Sequence, residues 1–163
     1  MEYSSEQWNA LVVVAIAGVL AIIPGLDREK RQRPAGLRTH MLVCMSCALL
    51  TIMSRIIYGS DSEARMTANL LTGIGFLGAG VVLQRKTSVH GLTTAASIWM
   101  VAIVGIVVGY ELYILAVGST LLFAFVLSVI PRLESGKNGH TAKHAMADKH
   151  HHHEEAPDPK AFF

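Results

Sequence analysis

Charge is scarce in this chain, and so are aromatic residues. Asp, Glu, Lys and Arg make up 16% of its 163 residues, and Phe, Trp and Tyr only 7%. Soluble domains carry about 25% charged residues. Nucleic-acid-binding proteins gather basic residues in patches, often beside aromatic side chains that stack on bases. The sequence has no such patch, so we predict no nucleic-acid partner.

The residue patterns that catalysis uses are also missing. The chain has no H-E-x-x-H sequence, no Ser–His–Asp arrangement and no carboxylate inside its long apolar stretches. Proton- and ion-coupled transporters commonly place a carboxylate at that depth. The Gly-rich run at residues 73–80 is not a phosphate-binding loop, because no Lys-Ser/Thr follows it. We therefore predict no enzyme activity, no catalytic residue and no cofactor.

Only two cysteines are present, Cys44 and Cys47, in a C-x-x-C arrangement inside an apolar stretch. On a helix they lie nearly one turn apart on one face. A redox pair is one reading of this spacing. The other, which we favour, is that both are small buried apolar side chains.

Long uncharged runs are what the chain does have. They cover residues 7–26, 41–54, 66–84, 91–110 and 112–131. A helix needs about 20 apolar residues to cross a bilayer. We predict an all-α membrane bundle of about five transmembrane helices, at about 8–26, 38–58, 66–84, 91–109 and 112–131. The first helix carries no Lys or Arg before its apolar run, so we expect it to be retained rather than cleaved as a signal peptide.

The basic residues alternate between the connections. One set of alternate loops, together with the tail, holds 12 of the 14 Lys and Arg residues. Positively charged loops stay in the cytoplasm. This predicts an N-terminus outside and a C-terminus inside the cell.

Small residues mark the helix faces that we expect to pack closely. Membrane helices use such residues to bring their backbones together. The predicted packing positions are Gly73, Gly75, Gly78 and Gly80 in the third helix and Gly105 and Gly109 in the fourth. We expect Gly75→Leu to reduce the amount of folded protein.

Polar residues gather at the predicted cytoplasmic ends of the first two helices. We call this set the edge cluster; its members are Asp27, Arg28, Glu29, Arg38, Thr39 and His40. The two carboxylates could bind a hard cation or pair with Arg38, and Arg38 could bind a phosphate headgroup. A structural anchor at the interface is about equally consistent with these residues.

A second set of polar residues lies near the starts of the third and fourth helices: Arg65, Asn69, Thr93 and Thr94. Asn69 is expected to form a hydrogen bond across a helix interface. The hydroxyls of Thr93, Thr94 and Ser97 either bond to helix carbonyls, bond across to another helix, or line a polar path.

Residues 132–163 differ in composition from the rest of the chain, with many charged residues and six histidines. Such a segment cannot bury a core, so we predict a disordered cytoplasmic tail. The run His150–His153 could bind a transition metal, but a polar tract without a function is the reading we favour. We predict no metal site.

Four motifs, in this order, resemble the MgtC/SapB family of bacterial inner-membrane proteins. They are Pro24-Gly25-Leu26-Asp27-Arg28-Glu29, Pro34 to His40, Gly73 to Gly80, and Gly91 to Trp99. The likeness covers about residues 8–131. It is closer to the short SapB-type members, because the tail is too short for the ACT-like domain of the virulence members. Asp27 also replaces the usual Glu.

The resemblance implies a multi-pass protein linked to magnesium limitation, acid adaptation and, in pathogens, survival in macrophages. Some family members are thought to restrain the proton-driven ATP synthase. We expect a non-enzymatic modulator of membrane machinery or ion homeostasis. The alternative is a small oligomeric transporter or channel for Mg²⁺ or another ion. The expected partners are membrane lipids and either further copies of the chain or another membrane protein.

Overall fold

Five helices account for most of the computed structural model, which describes residues 2–58, 60–85 and 88–131. The helices are α1 (Glu2–Lys30), α2 (Leu37–Tyr58), α3 (Ser60–Val81), α4 (Leu92–Gly109) and α5 (Tyr113–Pro131). This confirms the predicted all-α class. The predicted tail at 132–163 lies outside the described residues. The chain divides into two units, Met1–Leu127 and Ser128–Phe163, and the sites described below belong to the first.

Four of the described helices are long and apolar enough to cross a membrane: Ser5–Lys30, Leu37–Ile57, Leu92–Gly109 and Tyr113–Pro131. The chain is therefore a multi-pass membrane protein. Helix α3 is not in this group, because Arg65, Asn69 and several glycines lower its mean hydropathy. That α3 crosses the membrane as a fifth span remains a prediction, and so does the orientation.

The third helix ends earlier than the sequence predicted. We expected it to continue to residue 84, but it stops at Val81 and a short antiparallel hairpin follows, with β1 at Leu83–Arg85 and β2 at Ser88–His90. Gly91 then turns the chain into α4 with a left-handed φ of 92°. A Cβ atom at Gly91 would collide with the carbonyl oxygen of Val81. The turn therefore requires glycine.

Helix α1 is longer than predicted at both ends. It begins at Glu2 rather than near residue 8, continues through Pro24 and ends at Lys30 rather than near residue 26. Charged residues limit how much of a helix lies in lipid, but they do not stop the helix itself. The uncharged run therefore underestimated its length.

Helix α2 lies at the centre of the first unit and contacts α1, α3 and α4. Its contact with α4 is the tightest. A Cβ atom at Gly105 would collide with the carbonyl oxygen of Cys44 and lie 2.9 Å from Cys47 Cβ. One at Gly109 would lie 2.6 Å from Thr51 Cβ. Both cysteines are free and fully buried at this contact, so they act as small apolar groups that let α4 approach.

The glycines of α3 have different surroundings. In the described part of the chain, no neighbouring atom lies within 4 Å of a Cβ built at Gly73, Gly75 or Gly80, and a Cβ at Gly78 only touches Ala95 at 3.7 Å. Phe76, on the same helix, is 81% exposed. Within the chain, three of the four predicted packing positions on α3 are therefore open. Among the described residues, no helix covers Gly75 in the way that α2 covers Gly105 and Gly109, so a close contact at Gly75 is not made within this part of the chain. That Gly75→Leu reduces the amount of folded protein stays a prediction.

Candidate functional site

The edge cluster begins with a carboxylate held between two guanidinium groups. Asp27 Oδ2 accepts a hydrogen bond from Arg28 Nη2 at 2.7 Å, and Asp27 Oδ1 accepts one from Arg31 Nε at 3.0 Å. Arg31 lies one turn after Asp27, the spacing at which helical ion pairs form. The structure thus pairs Asp27 with residues of its own helix.

Arg28 is the buried member of this arrangement, with 2% of its side chain exposed. Its Nη2 atom also donates to the carbonyl oxygen of Leu127 in α5, at 3.3 Å. Among the described residues, its Nε atom has no hydrogen-bond partner. A buried guanidinium needs a carboxylate close by to offset its desolvation. Arg28 therefore depends on Asp27 and joins α1 to α5.

Glu29 has a separate task at the start of α2. Its Oε2 atom accepts the backbone N–H of Leu37 at 2.9 Å. The first N–H groups of a helix have no partner inside the helix, and an acidic side chain there also meets the positive end of the helix dipole. Gln32 adopts a left-handed φ of 50° in the short turn that brings the start of α2 back to Glu29.

His40 joins the start of α2 to α4. It is fully buried, with Nδ1 2.9 Å from the carbonyl oxygen of Gly36 and Nε2 3.1 Å from Ser97 Oγ. A carbonyl oxygen only accepts, so Nδ1 carries a proton. Ser97 Oγ in turn lies 2.8 Å from the carbonyl oxygen of Thr94. The Gly91–Trp99 motif and the Pro34–His40 motif therefore meet at this bond.

The other predicted residues lie at the surface. Arg38, Thr39, Arg65, Asn69 and Thr93 are exposed, whereas Thr94 is buried. Within the described residues, Arg38 forms no ion pair with Asp27 or Glu29, so that one of the alternatives is not formed. Arg28 and Arg31 pair with Asp27 instead. Asn69 forms no hydrogen bond to another described helix, so the hydrogen bond that we expected it to form across a helix interface is not present there.

Sequence reasoning named Ser97 among the hydroxyls at the start of α4 but did not identify His40 as its partner, and it missed the burial of Arg28. Ser97 follows Thr93 by four residues, so a helical reading of the motif would have placed it one turn further into the bundle. Nothing local distinguishes Arg28 from the exposed basic residues around it. Its burial depends on α5, which lies 99 residues away along the chain.

Chemically, the edge cluster fastens helices together more than it offers a binding site. Asp27 and Glu29 already accept hydrogen bonds from different partners. Among the residues that the structure describes, no three His, Cys, Asp or Glu side chains group as metal ligands. The exposed members, Glu29, Arg38 and Thr39, are the ones that can reach a ligand outside the chain.

Comparison with known proteins gives consistent similarities. The profile of the MgtC family matches residues 14–136. "Putative magnesium transporter YhiD" of Escherichia coli is 36% identical over 132 residues, which cover 76% of this chain and 61% of that protein. "Protein MgtC" of Salmonella typhimurium is 40% identical over 122 residues, covering 75% and 52%. "Protein MgtC" of Brucella abortus is 39% identical over 106 residues, covering 63% and 44%.

The chain thus spans about half the length of the curated relatives that it matches. No solved structure matches it. The matched region contains all of the motifs that meet in the edge cluster.

Proposed function

Because the chain belongs to the MgtC family, we propose that it is a non-enzymatic protein of the bacterial inner membrane that modulates membrane machinery or ion homeostasis. Scarce magnesium or acid stress is the proposed condition for its action. The proton-driven ATP synthase is the machine that the family resemblance suggests. A further copy of the chain or another membrane protein is the proposed direct partner.

The observation that carries this proposal is the state of the two carboxylates in the edge cluster. Mg²⁺ is bound through oxygen ligands, usually one or two carboxylates together with water or phosphate. Asp27 instead accepts from Arg28 and Arg31, and Glu29 accepts from the backbone of Leu37. Two guanidinium groups beside Asp27 repel a cation. Asp27 is therefore engaged by the protein and flanked by positive charge, and Glu29, which is exposed, has one of its oxygens engaged.

Close packing inside the bundle supports the same reading. Gly105 brings the backbone of α4 against the carbonyl of Cys44 in α2. The side chains around this contact, including Ala48 and Ala102, are fully buried. A densely packed interior of this kind has little space for hydrated ions.

The alternative is a small oligomeric transporter or channel for Mg²⁺ or another ion. One observation favours it, namely the magnesium transporter name carried by the E. coli relative. In such an assembly, several copies would each contribute the exposed side chains of Arg38, Thr39 and Thr93 to the ion path. The two proposals make opposite predictions in a flux measurement.

We expect the full chain in liposomes to give no Mg²⁺ influx above that of empty liposomes, measured with a trapped magnesium-sensitive dye. The reason is that neither an open ligand set nor an open interior is available to the ion. The Arg38→Ala variant is the matched control, because Arg38 is exposed and its loss should not affect folding. Influx well above background that disappears in Arg38→Ala would contradict the modulator proposal and support the transporter.

We also expect a photo-crosslinking amino acid at Phe76 to capture a partner in native membranes, with a yield that rises several-fold under magnesium limitation. Phe76 lies on α3 beside the open glycines and is 81% exposed. The control position is Ile114 on α5, which is 93% exposed and should give only lipid adducts. Equal capture from both positions, or no change with magnesium, would count against a regulated partner.

A further inference from the structure

A second polar region lies at the opposite end of the bundle, and the edge cluster does not explain it. A cavity of about 630 Å³ opens there between α1, α2 and the start of α5; its polar wall includes Glu6, Asn9, Arg55 and Glu111. We call it the Glu6 cavity. At 1.5 Å per residue, α1 places Glu6 about 32 Å from Asp27, close to the roughly 30 Å thickness of the hydrocarbon core. The cavity therefore lies near the other membrane interface.

The Glu6 cavity presents charges of both signs. Arg55 Nη2 donates to Glu111 Oε1, and these side chains are 40% and 49% exposed, so both can still bind another group. Among the described residues, Glu6 forms no ion pair. The cavity therefore offers a guanidinium for an anion and a carboxylate for a cation.

Two apolar grooves adjoin this polar cavity. One, of about 480 Å³, lies between α1 and α2 and shares Glu6 and Ile56 with it. The other, of about 690 Å³, follows α5 from Leu112 to Leu122 and shares Glu111 and Tyr113. The ten steps from Leu112 to Leu122 rise about 15 Å. The grooves thus run from the charged groups along helices that face lipid.

We propose that the Glu6 cavity binds the headgroup of a diacyl phospholipid with a primary ammonium, with its two acyl chains in the adjoining grooves. Arg55 donates to the phosphate, and Glu6 accepts from the ammonium. The ligand matches the site in three respects. Its phosphate suits Arg55, its ammonium suits Glu6, and its two acyl chains suit the two apolar grooves. The proposal does not rest on the proposed function.

The chemistry of the cavity distinguishes this lipid from two common relatives. A choline headgroup has no N–H to donate to a carboxylate, and proteins recognise it with cages of aromatic rings. Tyr113 is the single aromatic residue among the described residues that line the cavity. An uncharged glycerol headgroup leaves the lipid anionic, and the carboxylates of Glu6 and Glu111 disfavour a net negative ligand.

The test is native mass spectrometry of the purified full chain with phosphatidylethanolamine, phosphatidylcholine and phosphatidylglycerol of identical acyl chains. We expect phosphatidylethanolamine to be retained about tenfold more than the other two, the difference that one charge-assisted hydrogen bond typically makes. Glu6→Gln should remove this preference. Arg55→Gln should lower retention of all three lipids, because each carries a phosphate.

Glu63→Gln and Arg65→Gln are the matched controls, because these residues belong to α3 and do not line the cavity. They should retain the preference. Glu6→Gln is the deciding variant if Arg55→Gln fails to fold, since Glu6 has no ion-pair partner among the described residues. Equal retention of the three lipids, a preference for either of the others, or an unchanged preference in Glu6→Gln would overturn the proposal. So would retention of no lipid by the folded protein, which would point to a protein occupant.

Discussion

Replacing Gly105 with leucine is expected to remove most of the folded protein. A Cβ atom alone would collide with the carbonyl oxygen of Cys44 and press on Cys47 at 2.9 Å. The first of these is backbone, which cannot rotate away as a side chain can. Overpacking a core typically costs about 1–3 kcal/mol and occasionally more, and we expect the upper end or beyond because leucine adds three more carbons. The measurement is the yield of monodisperse protein in detergent and its melting temperature.

Gly118→Leu is the matched control for Gly105→Leu. Gly118 also lies in an apolar helix, but no neighbouring atom of the described residues is within 4 Å of a Cβ built there. The two variants add the same side chain to membrane helices, so insertion and helix propensity change equally. Similar yields and melting temperatures for both would show that α4 does not pack on α2 as described.

Replacing Asp27 with asparagine is expected to destabilise the protein by about 3–5 kcal/mol, the usual cost of removing one partner of a buried ion pair. The change leaves the guanidinium of Arg28, which is 2% exposed, without its carboxylate. The bond from Arg28 to Leu127 in α5 is then weakened as well. Thermal unfolding in detergent measures the loss.

Two further variants test the cause of that loss. Adding Arg28→Met to Asp27→Asn should restore much of the melting temperature, because the unpaired buried charge is gone. Glu29→Gln should have a small effect, since an amide oxygen can still accept the N–H of Leu37. The ion-pair explanation fails if Asp27→Asn is as mild as Glu29→Gln, or if the double variant is less stable than Asp27→Asn alone.

This prediction changes how substitutions in the edge cluster should be read. Asp27, Arg28 and His40 hold helices together, so loss of function after changing them does not identify a ligand site. Arg38 and Thr39 are exposed, and a change there leaves the helix contacts in place. A functional defect in these two positions is therefore the informative one.

The family and the helical class were both predicted from the sequence and are confirmed. The four motifs led to the MgtC family, whose profile spans them. Uncharged runs located the five helices, with errors at α1, which continues into charged residues, and at α3, which ends before the hairpin. Where a helix leaves lipid or gives way to a turn depends on its surroundings as well as its own residues.

Pairing of charges could not be read from the sequence. The chain has several Arg residues near Asp27, and we considered Arg38 as one possible partner, whereas Arg28 and Arg31 form the pairs. Likewise Arg55 pairs with Glu111, 56 residues away, and His40 bonds Ser97, 57 residues away. Such contacts form when helices that are distant in sequence meet, and no local sequence pattern indicates which helices meet.

By itself, the sequence determined that this protein is a bundle of apolar helices with smooth faces, because hydropathy and side-chain size are properties of each segment alone. The tertiary structure decided which faces are used. Gly105 and Gly73 look alike in sequence, yet α2 covers the first and the chain leaves the second open. It also decided that Arg28 is buried and Arg38 exposed, because burial depends on where neighbouring helices pack and not on the residue that they cover.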